Sequence, residues 1–84
     1  MKTRIVVVTW SDASVQSDEA GIGELPALVT ARTFGVLVKQ TDEAVWIAAE
    51  KLFDPIKNSV TYRGTTVIPA GMVQKVKILG YEDP

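Results

Sequence analysis

Apolar residues fall along this chain in short runs separated by polar or glycine-containing breaks, a spacing that suits strands better than helices. Residues 4–10 (RIVVVTW) form a continuous run, as in a strand with both faces partly covered. Residues 73–79 alternate instead. Val76 and Ile78 face one way and Lys75 and Lys77 the other, the pattern of a half-buried strand with a charged outer face. Between them, residues 33–50 (TFGVLVKQTDEAVWIAAE) set two apolar runs around the polar knot 40–43, which predicts a hairpin in the middle of a sheet. Residues 27–32 carry an extended pattern straight into 33–40, so the second strand is long and Gly35 is the place for it to bend. Residues 60–62 and 65–68 are strand-like on either side of Arg63-Gly64. Pro69-Ala70-Gly71 then breaks the ladder as one 3₁₀ turn.

The breaks are turns of ordinary chemistry. Ser11-Asp12-Ala13-Ser14 and residues 53–59 (FDPIKNS) carry the short polar side chains and the Asp-Pro step that favour chain reversal. Residues 11–26 form a long acidic loop with Asp12, Asp18, Glu19 and Glu24, and residues 80–84 a polar tail. Residues 42–54 admit a second reading, as a helix capped by Thr41 with Val45, Ala48, Ala49 and Leu52 on one face. The β-branched and aromatic residues Val45, Trp46 and Ile47 favour the strand, and no second helical segment is there to pack against. The expectation is a single all-β domain over residues 1–84. Five strands, the second bent and the last preceded by a 3₁₀ turn, would close into a small barrel, which removes most exposed sheet edge.

Composition narrows the chemistry. Twelve Val, six Ile and eight Thr support the β class. Nine basic and ten acidic residues leave a net charge of −1, so no overall basic excess draws the chain to nucleic acid or an anionic membrane. The absence of Cys and His excludes disulfides, Cys/His zinc sites, cysteine nucleophiles and His-based triads. The apolar run 5–8 is too short for a signal peptide or an anchor, which makes a soluble cytoplasmic protein the expectation. No residue is assigned to catalysis, to a metal or to a cofactor.

Several stretches resemble known families. Gly35-Val36-Leu37, then Asp42 and Val45-Trp46-Ile47, then 62–68 (YRGTTVI), then 68–73 (IPAGMV) with Lys75-Val76-Lys77-Ile78, resemble the strand and turn motifs of Sm-like and SH3-like barrels. Trp10-Ser11-Asp12-Ala13, residues 35–42 and residues 68–78 are similar to small proteins encoded by phages and prophages, mostly of unassigned function. Together these cover about half the chain. The first resemblance implies a five-stranded barrel that pairs edge strands between copies. Of the Sm-type nucleic-acid contacts only Arg63-Gly64 is matched, Trp46 standing where that family has a polar residue.

Two sets of side chains are candidates for contact. Trp10, Asp12, Asp18, Glu19 and Trp46 could meet a protein partner, as exposed aromatics and acidic loops do; a tryptophan in a small domain also serves simply to cover the core or its rim. Lys39, Arg63, Lys75 and Lys77 could form a basic strip for nucleic-acid phosphates, although such residues commonly solvate strand faces and guard edges. The spacing of Asp12, Asp18, Glu19 and Glu24 is not that of a calcium loop, and Gly21-Ile22-Gly23 lacks the rest of a phosphate loop. The first functional expectation is a non-catalytic phage- or prophage-type accessory protein acting by protein–protein contact as a homo-oligomer. The alternatives are single-stranded RNA or DNA binding of the Sm-like kind, or a structural part of a virion at a head or tail joint.

Overall fold

The computed structural model describes residues 2–12 and 29–83. Five antiparallel strands make one sheet: β1 (Thr3–Asp12), β2 (Val29–Gln40), β3 (Ala44–Asp54), β4 (Ser59–Pro69) and β5 (Val73–Glu82). Their spatial order is β4-β3-β2-β1-β5. A 3₁₀ turn (Ala70–Met72) stands before β5, where Pro69 ends the fourth strand. Residues 44–54 are a strand, so the helical reading of that stretch gives way to its β-branched and aromatic content. Ser11 and Asp12 remain in β1, opposite Thr30 and Val29, rather than turning. The expected polar tail is strand as far as Glu82, which lies opposite Thr3.

Short side chains set the two tight turns. Thr41 Oγ1 accepts hydrogen bonds from the amides of Glu43 (3.1 Å) and Ala44 (3.3 Å), and the Thr41 amide donates to the Ala44 carbonyl (2.9 Å). Asp54 Oδ1 likewise accepts from the amides of Ile56 (2.9 Å) and Lys57 (3.3 Å) at the β3–β4 tip. Asn58 completes that tip at φ 51°, a conformation Asn tolerates better than most residues.

The long second strand changes partner along its length. Residues 29–36 pair with β1, whereas Val36 to Gln40 pair with Ala48 to Val45 of β3. Before Val36 in β2, and beyond Ala48 in β3, the two strands no longer pair. Residues 49–54 and 59–64 therefore run on as a two-stranded arm. The barrel expected from the sequence is not closed: among the described residues no ladder joins β4 to β5. The molecule is correspondingly long, 59 × 22 × 20 Å, with a radius of gyration of 16.6 Å. A compact chain of this length would have about 12 Å.

The core is small and lies where the ribbons overlap. Val6, Val8, Val45, Ile47 and Ile68 are buried against one another, with Trp10, Leu37, Met72, Val73 and Val76 packed around them. Alternation delivers them. Val6 and Val8 lie opposite Ile78 and Val76, and Val45 lies opposite Ile68. The Ala70 amide donates to the Glu43 carbonyl (2.8 Å), tying the 3₁₀ turn to the β2–β3 turn at the end of this core.

Candidate interaction surfaces

Three features of the surface can engage another molecule: a basic face across β2, β1 and β5, the two free sheet edges, and the arm. The register builds the first. Thr9 lies between Arg32 of β2 and Lys75 of β5, and Val7 lies between Phe34 and Lys77. Successive side chains alternate across a sheet, so these six share the face opposite the core. With Leu79 they line a shallow cleft of about 280 Å³. Phe34, beside Arg32 on β2, is 61% exposed. Among the described residues no acidic side chain lines it.

The sequence candidates divide between surfaces. Lys75 and Lys77 stand together on this face. Lys39 does not join them; its Nζ sits 5.0 Å from the ring centre of Trp46, a cation–π contact that fixes the tryptophan on the β2–β3 outer surface. Arg63 lies on β4 opposite Glu50 and is bound to it, with Nε 3.0 Å from Glu50 Oε2. Both partners are more than half exposed, so water screens the pair. Arg63→Gln is expected to change stability by no more than about 0.5 kcal/mol, with the difference vanishing at high salt; urea titrations at two ionic strengths check this.

Trp10 faces the core, half-buried, and its indole N–H donates to Thr33 Oγ1 at 2.9 Å. Its position is that of a core cover. The backbone of Asp12 pairs with Val29 at the end of β1. Asp18, Glu19 and Glu24 lie outside the described residues. Arg32 and Phe34, which complete the basic face, were not singled out by sequence. They alternate with Ala31, Thr33 and Gly35, but only the β1–β2 register brings them beside Lys75 and Lys77.

The edges belong to β4 and β5, eleven and ten residues long. Both carry exposed large apolar residues: Val60, Tyr62 and Val67 on β4, and Ile78, Leu79 and Tyr81 on β5. On the arm, Phe53 lies opposite Val60 and Lys51 opposite Tyr62, and Ile56 at the tip is 94% exposed. A groove of about 460 Å³ runs between the arm and the start of β1, with Lys51, Phe53, Val60 and Tyr62 in its wall. Lys51 Nζ donates to Thr3 Oγ1 and ties the arm to β1.

No three His, Cys, Asp or Glu side chains among the described residues converge to hold a metal ion. Among the described residues no helix is long and apolar enough to cross a membrane. No protein-family model, curated protein or solved structure matches the chain.

Proposed function

We propose that this protein is a non-catalytic accessory protein of the phage or prophage type, working through protein–protein contact, and in the first place with copies of itself. One observation carries the reading: the sheet is open, and both of its edge strands are long and bear exposed apolar side chains. A free edge offers a row of unpaired amides and carbonyls to any other strand, and proteins that stay monomeric blunt such edges with Lys, Pro or bulges. In β5 the first half carries Lys75 and Lys77, and irregularities interrupt its pairing with β1 near Gln74 and Leu79, yet Ile78, Leu79 and Tyr81 stay exposed in the second half. In β4 the stretch 59–68 holds no Lys and no Pro. Pairing β4 of one copy with β5 of the next is head-to-tail; it closes into a ring or grows as a filament, depending on the rotation between copies. The strand order, the 3₁₀ turn before β5 and the motifs shared with Sm-like barrels support a frame of the SH3-like or Sm-like kind, open in the single chain and completed by its neighbours. Trp46 and the exposed arm are then surfaces for a further protein partner.

The experiment is light scattering or native mass spectrometry of the purified protein. The expected mass is a multiple of the 9.1 kDa chain. The double variant Thr61→Lys/Thr65→Lys puts charge on exposed positions of β4 without removing any apolar contact. It is expected to yield folded monomer. A wild-type protein that stays at 9.1 kDa at high concentration overturns the proposal, as does a variant that assembles undiminished.

A further inference from the structure

We infer that the face formed by Arg32, Phe34, Lys75 and Lys77, with Thr9 between them, binds single-stranded nucleic acid through its phosphates and one stacked base. The register brings these residues together. Arg32 and Lys75 flank Thr9 in one row across three strands, and Phe34 and Lys77 flank Val7 in the next. At the usual strand spacing the backbones at Arg32 and Lys75 are about 10 Å apart, and Lys75 and Lys77 are about 7 Å apart along β5. Three cations and an exposed phenyl ring therefore occupy the four corners of one shallow surface. Bulk composition hides this, since the chain as a whole carries a charge of −1.

Charge complementarity selects the class of ligand. The lining holds three cations and, among the described residues, no carboxylate, so the occupant is a polyanion. The phenyl ring selects among polyanions. Phe34, 61% exposed, stands at the fourth corner of the array whose other corners are Arg32, Lys75 and Lys77, and neither a lipid headgroup nor a run of acidic residues has a flat ring to place on it. A nucleic acid supplies both parts, phosphates for Arg32, Lys75 and Lys77 and a base for the ring, and stacking of this kind is indifferent to sequence. A single strand fits because its bases are free to turn onto the sheet, whereas those of a duplex are already stacked on one another. The surface is also distinct from the place that the resemblance to Sm-like barrels implies. It lies on β2, β1 and β5, away from Trp46 and the β2–β3 turn.

Fluorescence anisotropy with short labelled oligo(dT) and oligo(rU) tests the inference. Binding is expected at low salt. Its logarithm should fall with log salt at a slope of about −2, the value for three cations on a single strand. Lys75→Glu/Lys77→Glu is expected to abolish binding, and Phe34→Ala to weaken it by about ten-fold, the scale of one lost base stack. Lys57→Glu, at the tip of the arm, is the charge-reversal control off this face and should leave binding unchanged. All of these side chains are exposed; Phe34 and Lys57 lie off both edge strands, whereas Lys75 and Lys77 lie on β5, so the mass of that variant is measured beside its binding and Phe34→Ala reads the face apart from self-assembly. Absence of binding at low salt overturns the inference, and so does an unchanged affinity in Phe34→Ala. Competition by polyglutamate or by phosphatidylserine vesicles as effective as that by unlabelled oligonucleotide overturns it in favour of an acidic polypeptide or a membrane surface.

Discussion

Gly35→Ala is expected to destabilise the protein by about 3 kcal/mol or more, at the top of the range for overpacking a core. A Cβ at this position would lie 2.4 Å from the Ala48 carbonyl oxygen and 2.8 Å from Ile47 Cγ2. The first of these atoms is backbone and cannot rotate away. The conflict arises where β2 leaves β1 for β3: Gly35 is still opposite Val6, and Val36 is the first residue to meet β3, at Ala48. Only a residue without a side chain lets β3 cross so close to β2. In a domain of this size the loss should lower the melting temperature by about 15 °C. Circular-dichroism melts of the wild type, Gly35→Ala and a control decide the matter. Gly80→Ala is a suitable control, because a Cβ there meets nothing within 4 Å. Equal, small changes in both variants would show that the two strands do not cross as closely as described.

That glycine also shows what the sequence can disclose. Gly35 stands out as a bend because it interrupts a long apolar stretch, and alternation in 73–79 identifies β5 with its charged face. These are local signals, and local reading recovers the five strands, the two turns and the 3₁₀ interruption. Gly64 is a comparable case: the Arg-Gly step is visible in the sequence, and its φ of 69° and the Ala49 Cβ 3.0 Å from an added side chain explain the glycine. Closure is a different matter. Whether β4 reaches β5 depends on how sharply the sheet coils after β2 changes partner, and no local run of residues encodes that.

The interaction surfaces were legible only in part for the same reason. Lys75 and Lys77 are two residues apart on one strand, so their common face follows from alternation. Arg32 and Phe34 lie more than forty residues away from them in the chain, and join them because both sets pair with Val7 and Thr9 of β1 from opposite sides. Arg63 looked equivalent to the lysines by type, yet its strand places it opposite Glu50, which takes up its charge. Trp10 and Trp46 are both half-buried, but one is turned inward to Thr33 and the other outward to Lys39. Parity across β1 and β3 separates them, and parity needs the register.

Ile47→Ala is expected to cost about 3–4 kcal/mol, within the range for truncating a fully buried Ile. Ile47 is 1% exposed and among the largest of the buried side chains, set with Val6, Val8, Val45 and Ile68 in a cluster too small to close over a lost group of three carbons. For a domain of about this length the total stability is roughly 4–12 kcal/mol, so the variant should sit close to unfolding at body temperature. The arm makes the contrast. Phe53 has a larger side chain than Ile47, but it is 45% exposed and stands on a two-stranded extension beyond β2. Phe53→Ala should therefore lower monomer stability by about 1 kcal/mol or less, since a mostly solvated ring loses little on removal. Urea titrations of both variants at a concentration where the protein is monomeric give the two midpoints, and an unchanged slope shows that the unfolded states are alike. If Phe53→Ala were as damaging as Ile47→Ala, the arm would be packed onto the body, and the open sheet on which self-assembly rests would be wrong. If only Ile47→Ala is damaging, the Phe53 ring contributes little to the monomer's stability, as its exposure on the arm implies.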